Sequence, residues 1–124
     1  MQGRTNKRPD SCYSFWIGAS LAILDAASLV DADQNRLFVC SCQQRGGGIA
    51  KFADTYQGAH RRVLIGGAID LTSITDIVHT YLGLAGLAII GSADGLPAIH
   101  PAVNITLRTL ERLKGTKCWR GESA

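Results

Sequence analysis

Long apolar runs are missing from this chain of 124 residues. The longest, residues 81–91, has about half of the ~20 residues that a membrane-spanning helix requires, so we predict no membrane span. The first 10 residues are polar and lack the apolar core of a signal peptide, so we predict a cytoplasmic protein. In that compartment the four cysteines are expected to be reduced thiols and not disulfides.

Charge of either sign is also sparse. Only 19% of the residues are charged, and the net charge is +3, with most of the excess base near the two ends of the chain. This distribution gives little support to a nucleic-acid surface, so we predict no nucleic-acid partner, whereas an anionic small ligand fits equally well. The hydrophobic fraction of 46% argues against disorder and is typical of one globular domain.

Helical periodicity accounts for all of the regular structure that the sequence predicts. We expect helices at residues 11–29, 32–43, 74–91 and 103–114, and no β-strand. The order of these elements is typical of helical-hairpin repeats: a long helix, a short helix, a glycine-rich break and another long helix. Such repeats bury their faces against neighbouring repeats. The predicted fold class is therefore all-α.

The faces and starting points of these helices follow from single residues. Leu37 and Cys40 are expected to face inward from the second helix. Because Pro9 disfavours helix in the residue before it, Asp10 or Ser11 is expected to cap the first helix. Another helix can approach the third one closely, because four of its residues are small: Gly83, Ala85, Gly86 and Ala88.

Three side chains form a candidate metal site. Asp10 and Cys12 lie where the first helix begins, so both can reach one ion, and His79 in the third helix is the best candidate for a third ligand. Zinc binds carboxylate, thiolate and imidazole, and a catalytic zinc keeps a fourth position open. From the residues alone, a buried structural cysteine and an ordinary core or surface histidine fit the same positions. The other histidines, His60 and His100, are expected at the surface.

The order of several motifs resembles a known family. GRTNKRPDSCYSFWIGASLAILD resembles the part of protein prenyltransferase β subunits that carries two zinc ligands, and DIVHTYLGLAGLAII resembles the part that carries the third. SCQQRGGGIAKFAD is similar to a glycine-rich turn of these proteins, and IHPAVNITLRTLERL is similar to their closing helix. Outside residues 57–75 the resemblance covers nearly the whole chain. It implies an α-α toroid of helical hairpins, of which this chain is the C-terminal part.

The resemblance implies an enzyme and assigns zinc ligation to Asp10, Cys12 and His79. In this family zinc holds the cysteine thiol of a C-terminal CaaX-type protein, such as a small GTPase, as a thiolate, which attacks C1 of an isoprenoid diphosphate. The implied partner is a prenyltransferase α subunit, with which the β subunit forms a heterodimer.

The same resemblance assigns five residues to the lipid substrate. Arg4 and Lys7 match bases that bind the diphosphate, Tyr13 matches a hydroxyl donor to it, and Trp16 matches a wall of the isoprenoid tunnel. Lys51, in GGIAK, resembles the lysine that type I geranylgeranyl-transferring members have near this turn, where farnesyl-transferring members have an acid that helps to hold magnesium. It implies geranylgeranyl diphosphate as substrate with no magnesium requirement. By charge and hydropathy alone, a solvated tail and ordinary core explain the bases and Trp16.

Two classes of function stay open. One is the catalytic zinc subunit; because a large part of the toroid has no counterpart here, the chain by itself is expected to be inactive. The other is a non-catalytic helical-repeat fragment that binds a prenyltransferase α subunit. A farnesyl- or Rab-directed member is a further alternative to the type I assignment.

Residues 58–75 interrupt the family-like pattern, and we predict that they are translated from a retained intron. Their removal joins Gln57 to Asp76 and shortens the spacing from Cys12 to His79 from 67 to 49 positions. The genetic code permits splice signals at both ends of the segment. A long surface loop is the alternative, although it would have to carry the apolar run VLIGGAI.

Sequencing of the mature messenger RNA checks this prediction. The dominant transcript is expected to lack the 54 nucleotides that encode these 18 residues. A dominant transcript that retains all of them would show that the insertion belongs to the protein.

Overall fold

The computed structural model describes residues 1–53, 75–116 and 119. The predicted insertion, apart from Thr75, lies outside the described residues, as does His60. The described part forms four α-helices and one small antiparallel sheet. Its elements are α1 (Tyr13–Ile23), α2 (Ala32–Ser41), α3 (Ile77–Ile90), β1 (Ile99–His100), β2 (Ile105–Thr106) and α4 (Leu107–Lys114).

The first helix ends earlier than predicted. α1 stops at Ile23 because Asp25 adopts a left-handed backbone conformation with a φ of 55°. The Ala26 amide donates to the Leu21 carbonyl at 2.7 Å, which is the long bond of a Schellman cap. A short 3-10 helix, Ala27–Leu29, follows. Glycine is the usual residue at the left-handed position, so an aspartate there gives little signal in the sequence.

The expectation of no β-strand is wrong. β1 and β2 pair in antiparallel register, with Ile99 opposite Thr106, and Asn104 in the intervening turn has a φ of 50°. The Thr106 hydroxyl accepts a hydrogen bond from the Thr109 amide at 3.2 Å, so α4 begins at Leu107, later than predicted. The all-α class is nevertheless confirmed, because each strand has only two residues.

α1 and α3 run parallel to each other in close contact. Ser14 lies against Gly86, and one turn further along both helices Gly18 lies against Ile90. A Cβ at Gly86 would overlap Ser14 and lie 2.6 Å from the amide nitrogen of Phe15, which is closer than real Cβ atoms come. Only glycine fits at this crossing, which confirms the predicted close approach of a helix to the small residues of α3.

Two apolar clusters hold the helices together. The first joins α1 to α3 through the buried residues Phe15, Ala19, Leu82 and Ala85. The second joins α2 and the following loop to α3 through Val39, Cys42, Ile49 and Leu87. Burial raises the pKa of the Cys42 thiol to about 11, so it behaves as an uncharged core side chain. In the described part of the chain, no helix is long and apolar enough to cross a membrane.

The inward face of α2 differs from the predicted one. Leu37 is 58% exposed and Cys40 is exposed, whereas Asn35 and Val39 are buried. The Asn35 amide nitrogen donates to the buried Ser14 hydroxyl at 3.0 Å. This hydrogen bond offsets part of the desolvation cost of a buried amide, so hydrophobicity alone selects the wrong face.

One face of α3 remains exposed. Ile77, Tyr81 and Leu84 are 87%, 51% and 44% exposed, and their spacing of four and three residues places them on one stripe of the helix. They line a cavity of about 450 Å³ together with Thr75 and Thr80. α3 therefore buries one face against α1, and the described residues leave this other face uncovered.

We expect Gly86→Ala to destabilise the chain by about 2 kcal/mol, because the α1 backbone must move away from the added methyl group. The gain in helix propensity from glycine to alanine, about 1 kcal/mol, is smaller than this cost. Gly46→Ala is the control, since no atom lies within 4 Å of a Cβ there, and its effect should stay within about 0.5 kcal/mol. Urea unfolding of the full chain measures both; equal stabilities would contradict the close contact.

Candidate metal centre

Asp10 and Cys12 are held together by the turn that leads into α1. Asp10 is 7% exposed, and its Oδ1 accepts a hydrogen bond from the Cys12 amide at 3.0 Å. Aspartate commonly closes such a turn with the backbone two residues ahead. The N-cap residue is Cys12 and not Asp10 or Ser11 as predicted, and its side chain makes no capping bond. The thiol therefore takes no part in capping the helix and can serve as a metal ligand.

His79 is oriented by the residue that caps α3. Asp76 Oδ1 accepts a hydrogen bond from the His79 amide at 2.8 Å, which is an N-cap interaction. Asp76 Oδ2 lies 2.6 Å from Nδ1 of the same imidazole. Nδ1 donates to this carboxylate and Nε2 is directed toward Asp10, the ring orientation found in the carboxylate-histidine pairs of metal sites.

These hydrogen bonds also act on Asp76. Desolvation raises the pKa of its carboxyl group, but the hydrogen bonds from the His79 amide and ring outweigh it and hold the pKa below its ordinary value. Asp76 is therefore ionised at neutral pH and acts as an acceptor toward His79.

The two helix starts bring three ligand atoms together. One atom each from Asp10, Cys12 and His79 lies within 4.8 Å of the other two, and Asp10 Oδ1 is 3.4 Å from His79 Nε2. Ligands of a tetrahedral zinc lie roughly 3.3–3.8 Å from one another, so small side-chain movements would complete a site. One oxygen, one sulfur and one nitrogen ligand suit zinc better than calcium or magnesium, which prefer oxygen.

The Cys12 thiol is protonated at neutral pH in the absence of a cation. Its pKa is raised to about 12, first by burial and then by the hydrogen bond and charge of Asp10. A hydrogen bond from the Trp16 side chain and the charge of Lys51 act in the opposite direction and are weaker. A metal ion that binds Cys12 must therefore displace a proton.

A linking segment, residues 49–51, connects the starts of α1 and α3. On one side, the Ser11 amide donates to the Lys51 carbonyl at 3.0 Å, and the buried Ser11 hydroxyl donates to the Ala50 carbonyl at 2.8 Å. On the other side, the amide of residue 49 donates to the Thr80 hydroxyl at 2.9 Å. The segment thus fixes the two helix starts relative to each other.

Lys51 reaches the cluster from this segment. Its Nζ lies 3.6 Å from Asp10 Oδ2, the oxygen that does not face His79. The side chain also passes over the ring of Phe52, with Nζ 5.3 Å from the ring centroid, and the Arg8 guanidinium lies 4.2 Å from the same centroid. Lys51 therefore lies beside the candidate site, and Arg8 packs on the same aromatic ring as Lys51.

The other residues assigned to the lipid substrate lie in the N-terminal segment and in the first turn of α1. Arg4 and Lys7 are exposed, and their side chains form no ion pair within the described ranges. Tyr13 packs its ring over Gly3. Trp16 is 51% exposed and approaches Cys12 from the next turn of α1. Of the five, Lys51 and Trp16 reach the cluster with their side chains, whereas Tyr13 contacts it through its backbone amide, which donates to the Asp10 carbonyl at 3.1 Å.

Three residues of the site were not predicted to belong to it. Asp76 has a detectable signal, because an aspartate three positions before a histidine at a helix start can cap the helix and orient the ring. Ser11 and Phe52 have none, because their roles depend on the linking segment, which is 39 residues away from Ser11 at Ala50.

Comparison with known proteins agrees with this arrangement. Residues 1–105 match the family described as the prenyltransferase alpha-alpha toroid domain. The chain is 35% identical over 107 residues to the geranylgeranyl transferase type-1 subunit beta of Dictyostelium discoideum, covering 86% of this chain and 25% of that protein. It is 32% identical over 106 residues to the same-named protein of Arabidopsis thaliana, covering 86% and 23%.

A third relative has a different name. The chain is 30% identical over 102 residues to the geranylgeranyl transferase type-2 subunit beta of Saccharomyces cerevisiae, covering 82% of this chain and 26% of that protein. The chain thus spans about a quarter of the length of the relatives it matches. The family match extends over most of the chain and includes all three candidate ligands, so the chain belongs to the prenyltransferase alpha-alpha toroid domain family.

Proposed function

We propose that this chain is part of the β subunit of a zinc-dependent protein geranylgeranyltransferase of type I. The enzyme would transfer a geranylgeranyl group from its diphosphate to the cysteine thiol of C-terminal CaaX-type proteins, including small GTPases. It would act in the cytoplasm as a heterodimer with a prenyltransferase α subunit. The observation that carries the proposal is the convergence of Asp10, Cys12 and His79, with Lys51 beside them.

The metal would be held by Asp10, Cys12 and His79. Zinc bound there would keep the thiol of the protein substrate as a thiolate at neutral pH in its open coordination position. Asp10 presents Oδ1 toward His79, and Asp76 keeps the imidazole turned so that Nε2 faces Asp10. Burial of Asp10 and partial burial of Cys12 and His79 limit competition by water.

The basic residues would act on the leaving group. Transfer forms a carbon–sulfur bond, breaks the bond from C1 to oxygen and releases diphosphate, whose charge must be stabilised. Among the described residues, Lys51 is the cation nearest the ligands, and a fixed ammonium can take the place of a magnesium ion, so no magnesium requirement is proposed. Arg4, Lys7 and the Tyr13 hydroxyl would complete the diphosphate contacts, and Trp16 would line the lipid path.

The type I assignment is supported by two relatives whose names contain type-1, and the type-2 relative keeps the Rab-directed alternative in view. A second candidate function is favoured by the exposed stripe of Ile77, Tyr81 and Leu84. An apolar stripe that the described residues leave uncovered, with an adjacent cavity, suits a helical-repeat fragment that binds another protein, most simply the α subunit. Zinc content separates the two functions, because the second needs no metal.

We expect the full chain to bind one zinc ion and Cys12→Ala to lose it, because two ligands do not retain zinc against a chelator. Cys40→Ala is the matched control: Cys40 is an exposed thiol on α2 outside the ligand cluster, and its removal should leave zinc content unchanged. Metal analysis after dialysis against a weak chelator provides the measurement. Full zinc content in Cys12→Ala would show that the ligand assignment is wrong.

We expect Asp76→Ser to weaken zinc binding by roughly tenfold while changing stability by only a few tenths of a kcal/mol. Serine still caps α3 but has no second oxygen for the His79 ring. Asp31→Ser is the control, because Asp31 caps α2 through the Gln34 amide at 2.9 Å and orients no ligand. Competition with a zinc chelator measures affinity; equal affinities in the two variants would exclude an orienting role for Asp76.

A further inference from the structure

Each carboxylate oxygen of Asp10 has its own neighbours. Oδ1 faces the Cys12 amide at 3.0 Å and His79 Nε2 at 3.4 Å, whereas Oδ2 faces Lys51 Nζ at 3.6 Å. The Asp10 side chain is only 10% exposed, so water competes little for Oδ2. The carboxylate thus has one oxygen directed to the candidate ligands and the other to an ammonium group.

The position of Lys51 is determined by its backbone and not by the ion pair alone. Two hydrogen bonds from Ser11, the residue between Asp10 and Cys12, bind the carbonyls of Ala50 and Lys51. The donor residue is fully buried, so these bonds are protected from solvent. A lysine at this position therefore remains next to Asp10 whether or not its side chain is paired.

We propose that Lys51 is a positioning residue for the metal site: it occupies Oδ2 of Asp10 and restricts this ligand to binding the metal through Oδ1 alone. The proposal rests on the proposed zinc site and adds to Lys51 a role that is separate from its contact with diphosphate. A carboxylate can bind a metal through one oxygen or through both, and the number of bound oxygens changes the coordination number. A cation fixed at Oδ2 selects the first of these.

Loss of the Lys51 ammonium group should raise the metal affinity for two reasons. Without the ammonium, Oδ2 becomes free to approach the metal as an additional ligand. The metal ion also loses a neighbouring positive charge that repels it through a partly desolvated site. Loss of Lys51 should therefore tighten metal binding, whereas loss of a residue with only a structural role would loosen the site and weaken binding.

Cobalt(II) titration of the full chain tests the proposal, because cobalt replaces zinc in such sites and its visible absorption depends on coordination number. In Lys51→Met the dissociation constant for cobalt should fall by roughly tenfold, the lower end of the range for outer partners of metal ligands. The visible bands should lose intensity, as expected when a fifth ligand atom binds. Lys51→Arg keeps a cation at Oδ2 and should retain both properties of the unmodified chain.

The matched control is Lys114→Met, which removes a lysine paired with an acid, Glu111 at 2.9 Å, in the last turn of α4. It should change neither affinity nor spectrum. Lys51→Gln is a second neutral variant, and far-ultraviolet circular dichroism verifies that each variant keeps its helices. Tighter binding with weaker bands in both neutral variants supports the proposal.

The remaining outcomes overturn it in distinguishable ways. Unchanged or weaker cobalt binding in folded Lys51→Met and Lys51→Gln overturns the positioning role and leaves the zinc site standing. Loss of helical structure in both neutral variants shows that the ion pair serves folding, which also overturns it. Failure of the unmodified chain to bind cobalt overturns both this role and the proposed zinc site.

Discussion

The parallel contact of α1 and α3 is the constraint on which the candidate site depends. Ser14 against Gly86 and Gly18 against Ile90 fix the register of the two helices, so the start of α1 lies beside the third turn of α3. The residues just before α1 then reach the first turn of α3, where Asp10 faces His79 at 3.4 Å. A side chain at Gly86 would push the helices apart and separate the ligands, although it lies two turns from His79.

Asp10 is the electrostatic centre of this arrangement. It accepts from the Cys12 amide, faces the imidazole of His79, pairs with Lys51 and helps to keep the Cys12 thiol protonated. A buried carboxylate is costly unless its charge is compensated, and here the Cys12 amide and the Lys51 ammonium group compensate it. The same groups that make Asp10 tolerable in the folded chain therefore also define how it can bind a cation.

The ligand set could be proposed from the sequence because the motifs around these residues resemble a known family; the residue types alone also fit a structural cysteine and an ordinary histidine. The structure places the three side chains together. The small residues of α3 likewise predicted a close helix. The inward face of α2 could not be predicted, because Asn35 is buried only through its partner Ser14, 21 positions away. The end of α1 at Asp25 and the hairpin before α4 depend on left-handed residues that are not glycine.

The metal site and the exposed apolar surface of α3 depend on different contacts. The candidate ligands, Lys51 and Asp76 are placed by short hydrogen bonds and by the glycine contact, all within the described residues. The stripe of Ile77, Tyr81 and Leu84 does not take part in these contacts, and the described residues leave it exposed. Burial of such a surface stabilises a protein by about 25 cal/mol for each Å² of apolar area. Covering that stripe would therefore stabilise α3 as a whole, and with it His79, without changing which atoms face the ion.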